Sequence, residues 1–273
     1  MYEGVLNVIS QHNFTQFMIA IKSAGFISNK MVTSNMALDF AYTIHLLLQE
    51  SDVPVAERKR IVQKWYVLSV LTGRYSSSPE SAFARDIRQI TEQGVPAMLK
   101  AMEDAILSEN FWNIAVPQNL SVTSTNNPTY LVYLASQVYF NDISLLSTNI
   151  TVRELISLGG DVHHVFPKQY LINNHYAKNL YNQDANYAYL DRPVNESIGK
   201  KSPKEYFSLA LEQCQTKVAV CGSITDEDLL QKNLIMNCIP SEVFKMDHND
   251  YVHFLEDRRL LMANKIRKYY DSL

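Results

Sequence analysis

The stretch GGDVHHVFPKQYL, residues 159–171, places two histidines side by side after an acidic residue, and apolar residues and a proline follow. Successive side chains of an extended strand point to opposite faces, so His163 and His164 face different surroundings. Asp161 shares a face with His163, and Val162 shares the other face with His164. The pattern predicts a strand whose two histidines have different tasks, one toward a metal ion and the other toward a substrate or a water molecule.

The segment around this strand differs from the rest of the chain. From Asp161 to about Gly199 helical periodicity is absent, and asparagine and tyrosine are frequent. Within this segment NYAYL, residues 186–190, is bounded by polar residues, as is typical of a short strand. We therefore expect a polar, strand-containing insert at this place in the chain.

The flanking sequence predicts helices. Residues 1–25 indicate one helix that ends at Gly25, and Ser34 caps a second helix. After Pro54 a third helix has a charged first half and a nearly all-apolar second half, which is typical of a helix that enters the core. The run PTYLVYLASQVYF predicts a buried helix, and the last helix begins at about Asn249. Residues 115–127 are polar and predict a loop or boundary.

Composition narrows the classes of protein. A 273-residue chain with 47% hydrophobic residues can bury a sizeable core, and a formal net charge of -3 excludes a globally basic DNA-coating protein. Cys214, Cys221 and Cys238 are odd in number and widely spaced, so buried free thiols are favoured over disulfides or a zinc site. The sequence shows no signal-peptide pattern and no apolar run of membrane-spanning length, so we expect a soluble, cytoplasmic protein.

Three motifs carry a family resemblance. D-V-H-H-V-F-P, then A-N-Y-A-Y-L, then V-N-E-S-I-G-K-K-S-P resemble the H, N and N landmarks of HNH endonucleases, which have the ββα-metal fold. The residues in and around these motifs are similar to those of the C-terminal nuclease region of GmrSD-like modification-dependent restriction endonucleases. The run K-W-Y-V-L-S-V-L-T-G-R-Y-S-S-S-P-E-S-A-F-A-R-D-I-R-Q-I resembles the helical segment before that motif, so the likeness covers most of the chain from about residue 30 onward.

The resemblance implies a fold. The chain is expected to be mainly α-helical, a bundle-like domain with one inserted ββα-metal finger. The helical region would span residues 1–158, and the finger with its following helix residues 159–213. Residues 214–273 would form a C-terminal helical region that packs on the first.

The resemblance also implies roles for four residues. His164 matches the general base, which takes a proton from the attacking water. His163 matches the first metal ligand, which in many HNH enzymes is an aspartate, and Asn195 matches the second. Asn186 matches the asparagine that braces the metal loop through hydrogen bonds. Asp161 is expected to shape the turn or to support the ligands from behind.

The implied cofactor is a divalent metal ion. Mg²⁺ or Mn²⁺ fits the activity of the family, and a histidine at position 163 shifts the preference toward Mn²⁺, Ni²⁺ or Zn²⁺. Lys168, Lys200 and Lys201 are candidate phosphate contacts, and a solvated surface position is an equal alternative for each. Farther from the motif, Arg74, Arg85, Asp86 and Arg88 either line a DNA path or pair with one another between helices, and pairing is favoured.

The partners follow from the same likeness. DNA is the expected substrate, in a restriction or phage-defence system. The family carries an N-terminal ParB-like NTPase or sensor domain that this chain lacks, so such a domain is an expected partner. One finger cuts one strand, so the chain nicks DNA or acts as a homodimer. The alternative is a catalytically silent helical DNA-binding or protein-interaction module that needs the sensor domain.

Overall fold

The computed structural model describes residues 2–160 and 162–273, and only the backbone of Tyr2 and Glu3. Helices account for 68% of the structure and strands for 3%, which confirms the prediction of a mainly α-helical protein. The helices are α1 (Tyr2–Val8), α2 (Gln11–Ser23), α3 (Asn35–Gln49), α4 (Val55–Thr72), α5 (Pro79–Gln93), α6 (Val95–Ile106), α7 (Val116–Asn119), α8 (Pro128–Tyr139), α9 (Val152–Ser157), α10 (Lys168–Asn173), α11 (Lys178–Tyr181), α12 (Arg192–Ile198), α13 (Pro203–Thr216), α14 (Glu227–Met236) and α15 (Tyr251–Ser272), and the strands are β1 (Val162–His164) and β2 (Tyr187–Tyr189).

The N-terminal region forms two helices, so the expectation of one helix over residues 1–25 is wrong. The hydroxyl of Ser10 accepts a hydrogen bond from the backbone N–H of Asn13 at 3.4 Å, and α2 begins at Gln11. A serine at this position satisfies a backbone N–H at a helix start, which favours a new helix over a continuous one.

Helices α4, α8 and α15 form the centre of the core. The second half of α4 is buried, as its apolar sequence predicts, and α8 packs on both α4 and α15. The turn after α2 passes close to α8. Gly25 in this turn has a φ of 100°, and a Cβ there would lie 2.1 Å from the carbonyl oxygen of Ala135. Only glycine therefore fits at this contact.

The ion pairs favoured by the sequence are present at the start of α5. The carboxylate of Asp86 is fully buried and accepts hydrogen bonds from Nε and Nη2 of Arg74 at 2.6 and 2.7 Å. The hydroxyl of Tyr75 donates to the same carboxylate at 2.9 Å, and Nε of Arg85 lies 3.4 Å from it. Arg74 and Asp86 therefore join α5 to the turn after α4, whereas Arg88 is exposed.

The loop expected over residues 115–127 begins later than its composition suggests. The first part of this range is α7, and the chain is irregular from residue 120 to residue 127. The polar residues that follow α7 include the cap of the next helix, since the side chain of Asn127 accepts from the backbone N–H of Thr129 at 3.2 Å. The boundary is thus a short connection between two packed helices.

The polar insert contains three short helices as well as the expected strands, although helical periodicity is absent from its sequence. Helices α10, α11 and α12 have six, four and seven residues. A helix of one or two turns presents too few apolar positions for a 3.6-residue period to be visible in the sequence.

The two strands pair antiparallel and form a two-stranded sheet. Val162 lies opposite Tyr189, His163 opposite Ala188, and His164 opposite Tyr187. Helix α12 follows β2 almost at once, because the carboxylate of Asp191 accepts from the backbone N–H of Val194 at 2.9 Å and caps it. The order of these elements is therefore strand, strand, helix, with α10 and α11 in the connection between the strands.

The insert shares its core with the helices on both sides. Phe166, two residues after His164, is fully buried and packs on Tyr251 and Phe254 of α15, with ring centroids 5.0 and 4.7 Å apart. Because of this contact the strand pair rests on the longest helix, and a single hydrophobic cluster draws on all three predicted regions of the chain.

Two further expectations concern the whole chain. Cys214, Cys221 and Cys238 are buried free cysteines, as their spacing predicts. Within residues 2–160 and 162–273, none of the helices is both long and apolar enough to cross a membrane.

Candidate active site

The two adjacent histidines lie on opposite faces of β1, as strand alternation predicts. His164 shares its face with Tyr187, whose ring centroid lies 5.1 Å away in an edge-on contact, and the ring of Tyr181 lies 6.3 Å away. Burial lowers the pKa of His164, the bond to Asn182 opposes this change, and Lys168 and His163 add to it. The imidazole of His164 is therefore predominantly neutral near pH 7.

Asn186 ties the start of β2 to the chain that follows His164. Its side chain is fully buried, and Oδ1 accepts a hydrogen bond from the backbone N–H of Phe166 at 2.8 Å. Nδ2 donates to the carbonyl oxygens of Phe166 at 3.1 Å and Tyr181 at 3.0 Å. One amide thus satisfies three backbone groups.

Side chains from outside the insert hold the same loop. The hydroxyl of Tyr206, on α13, donates to the carbonyl oxygen of Val165 at 2.8 Å. Nη1 of the fully buried Arg258, on α15, donates to the carbonyl oxygen of Ala185 at 2.8 Å. The backbone on both sides of the strand pair is therefore fixed by the helical core.

Asn182 is a site residue that the sequence does not single out. Its Oδ1 lies 2.9 Å from Nε2 of His164, across 18 residues of chain. In the sequence Asn182 is one of several asparagines in the insert, and no local pattern separates it from Asn173 or Asn179. Its role becomes visible only when the connection after α11 folds back on β1.

The two expected metal ligands lie on the first strand and the following helix. His163 is half-buried on β1 opposite Ala188, and Asn195 is half-buried in the second turn of α12. They offer an imidazole nitrogen and an amide oxygen, which fit a divalent ion such as Mn²⁺, Ni²⁺ or Zn²⁺ and, through oxygen, Mg²⁺. Among the described residues no three or more His, Cys, Asp and Glu side chains form a group that could hold a metal, so a ligand set here is sparse. Asp161, expected to support it, lies outside the described residues.

The three candidate lysines differ in their surroundings. Lys168 is exposed at the start of α10, with Nζ 5.9 Å from the centre of the Tyr181 ring. Lys200 is exposed after α12, whereas Nζ of Lys201 donates to the carbonyl oxygen of Ser197 at the end of that helix. Lys168 is near enough to His164 to lower its pKa, and Lys201 already has a structural partner.

A buried carboxyl group stands two residues before the bracing asparagine. Asp184 is fully buried, and its Oδ2 accepts a hydrogen bond from Nδ2 of Asn127 at 2.6 Å. Burial raises the pKa of Asp184 to about 7, and the bond from Asn127 opposes this change. The turn that carries Asn186 therefore contains an acid that changes its charge near neutral pH.

Comparison with known proteins adds a distant relative. No family of known proteins and no solved structure matches the chain. The chain is similar to Uncharacterized protein MJ0686 of Methanocaldococcus jannaschii, with 24% identity over 238 residues. The matched part covers 79% of this chain and 37% of the archaeal protein, so the chain spans well under half of that relative's length. The printed name of the relative assigns no activity, and the functional argument rests on the site itself.

Proposed function

We propose that this chain is a metal-dependent HNH endonuclease domain that hydrolyses phosphodiester bonds of DNA. The observation that supports this best is the set of three hydrogen bonds made by Asn186, which hold the loop after His164. The order of β1, β2 and α12, with Asn195 on the helix, also fits the ββα arrangement that the sequence resemblance implies. An asparagine used only to fill the core would not need to bind the two ends of this loop.

His164 acts as the general base in this proposal. Burial lowers its pKa, so the ring carries a lone pair near pH 7 and can accept a proton from the water that attacks the phosphorus. General-base help of this kind is typically worth ~10²–10⁴-fold in rate. Asn186 does not touch the substrate but fixes the backbone that carries the base.

His163 and Asn195 would hold the divalent ion. When bound, the ion supplies stabilisation of the negative charge on the phosphate and on the leaving oxygen. An imidazole and an amide carry no negative charge, so their affinity for the ion is modest until a DNA phosphate adds its own oxygen. Mg²⁺ or Mn²⁺ is the proposed cofactor, with Ni²⁺ and Zn²⁺ as the ions that His163 favours.

The substrate and setting follow from the same proposal. Lys168 and Lys200 are exposed and contact DNA phosphates near the cut. A single finger nicks one strand, and a homodimer breaks both. The sequence resemblance implies a ParB-like NTPase or sensor domain as a partner, in a cytoplasmic restriction or phage-defence system.

A plasmid-nicking assay tests the enzyme. Supercoiled DNA is incubated with the wild-type chain and Mg²⁺, Mn²⁺, Ni²⁺ or Zn²⁺, and the open-circular product is quantified over time. We expect nicking by the wild type and a loss of roughly 10²-fold or more in His164→Ala. His253→Ala is the matched control, because this histidine on α15 is 66% exposed and pairs only with Asp257 on its own helix, and it should cut like the wild type.

The outcomes separate the proposal from a silent module. Equal cleavage by the wild type and His164→Ala would show that a contaminant or another site cuts the DNA. No cleavage with any of the four ions, together with DNA binding in a gel-shift assay, would favour the silent DNA-binding module.

A further inference from the structure

We infer that Asn182 is a positioning residue for His164: the side-chain oxygen of Asn182 accepts a hydrogen bond from Nε2–H of His164, which leaves Nδ1 to accept a proton from water. This inference rests on the proposed nuclease function and adds a residue that the sequence motifs do not contain. It concerns which of the two ring nitrogens performs the chemistry.

The hydrogen bond between the two side chains selects a tautomer. Oδ1 of Asn182 lies 2.9 Å from Nε2 of His164. A neutral imidazole carries one N–H, and an amide oxygen can only accept, so this contact places the hydrogen on Nε2. Nδ1 then keeps the lone pair, which is what a general base requires.

The ring of His164 is seated by its neighbours as well as by the bond. Tyr187 contacts it edge-on from β2, and Tyr181 lies on another side from α11. A ring held by two aromatic neighbours and one hydrogen bond loses little further freedom on binding substrate, which favours a fixed direction for Nδ1.

Both ends of this hydrogen bond depend on Asn186. Its Nδ2 donates to the carbonyl oxygen of Phe166, two residues after His164, and to that of Tyr181, the residue before Asn182. The brace therefore sets the distance between the base and its partner, besides holding the loop. Setting this distance explains why the amide of Asn186 binds both the segment after β1 and the segment at the end of α11.

The segment around Asn182 is also held from α15. The hydroxyl of Tyr251 donates to the carbonyl oxygen of Leu180 at 2.9 Å, and Nη2 of Arg259 donates to Oε1 of Gln183. Residues on each side of Asn182 are thus tied to the longest helix, so its side chain is presented to His164 from a fixed backbone.

Nitrogen NMR of the histidine rings tests the tautomer without any need for activity. The ¹⁵N–¹H correlations across the ring distinguish Nε2–H from Nδ1–H, and His164→Ala assigns the signal. We expect Nε2–H in the wild type and in Asn182→Asp, which keeps an acceptor oxygen, and a mixture of both tautomers in Asn182→Ala. Asn179→Ala, an exposed asparagine on α11, is the matched control and should leave the signal unchanged.

Nicking kinetics add a readout that a purely structural role would not move. In Asn182→Ala we expect kcat to fall roughly tenfold or more, but by no more than the ~10²–10⁴-fold that a general base contributes, while KM for DNA stays nearly constant. Asn182→Asp should recover most of kcat, and thermal unfolding of each variant checks that the fold is retained.

Each result decides one question. Nδ1–H in the wild type, or an unchanged tautomer in Asn182→Ala, would overturn the inference even if the chain cuts DNA. An Nε2–H signal that depends on Asn182 in a chain that cuts nothing would keep the hydrogen-bond assignment and reject the nuclease function. Wild-type kcat in Asn182→Ala with a changed tautomer would show that the bond does not position the base.

Discussion

Replacing Asp184 by asparagine is expected to stabilise the protein, and more so as the pH rises. Asp184 is fully buried in the turn before β2, where Oδ2 accepts from Asn127 and Oδ1 has no hydrogen-bond partner among the described residues. Burial raises its pKa from 3.8 to about 7, so the folded protein keeps the proton that the unfolded chain releases near pH 4. An asparagine has nearly the same shape, accepts the same bond and carries no charge.

The size of the effect follows from the two pKa values. Between pH 4 and 7 the unfolded chain binds fewer protons at this position than the folded protein, so the stability of the wild type falls as the pH rises. Each pKa unit corresponds to 1.36 kcal/mol, so the raised pKa of Asp184 lowers the stability by about 2 kcal/mol at pH 5 and by about 4 kcal/mol above pH 7. The advantage of Asp184→Asn should therefore grow by about 2 to 3 kcal/mol between pH 5 and pH 8.

Urea unfolding of both proteins at pH 5 and pH 8 measures this difference, since groups shared by the two chains cancel. Asp104→Asn is the matched control, because Asp104 is exposed and makes only a surface pair with Lys100, and its effect should stay within about 0.5 kcal/mol at both pH values. An advantage for Asp184→Asn that is the same at both pH values would refute the reasoning, because it would mean that the buried carboxyl does not change its charge in this range.

Two further substitutions test the brace and the helix contact. Asn186→Ala leaves the backbone groups of Phe166 and Tyr181 without their partner, so urea unfolding should show a loss of roughly 3 kcal/mol or more, and nicking should be lost, whereas Asn179→Ala should change neither. Gly25→Ala forces a Cβ to within 2.1 Å of a carbonyl oxygen of α8 and should lower the free energy of unfolding by about 2 to 4 kcal/mol. Gly4→Ala, whose Cβ would meet no described atom within 4 Å, should be neutral or slightly stabilising. Equal melting temperatures for the two glycine variants would contradict this account.

The helical part of the fold could be predicted because its signals are local. The apolar second half of α4 and the mostly apolar α8 indicate burial on their own, and the structure places both in the core. The start of α2 was missed because a single serine cap, Ser10, outweighs a continuous helical pattern. Helices α10 and α11 of the insert have no signal in the sequence, because one or two turns are too short for a period to be recognised.

For the candidate site, the sequence by itself determined the residue types and their order along the chain. Adjacent histidines in an extended segment must face opposite ways, so the division between His163 and His164 follows from strand geometry alone. The position of Asn186 is also given by the motif, and the family resemblance implies its proposed role as a brace.

Only the tertiary structure decided which asparagine meets His164 and what the interior does to the ionisable groups. Asn182 reaches the imidazole because the chain between the strands turns back against α15. No local sequence pattern predicts this turn, since the two residues are 18 positions apart. The raised pKa of Asp184 and the lowered pKa of His164 both begin with burial. Burial depends on helices that are distant in sequence, because water is excluded by packed neighbours and not by the residue itself.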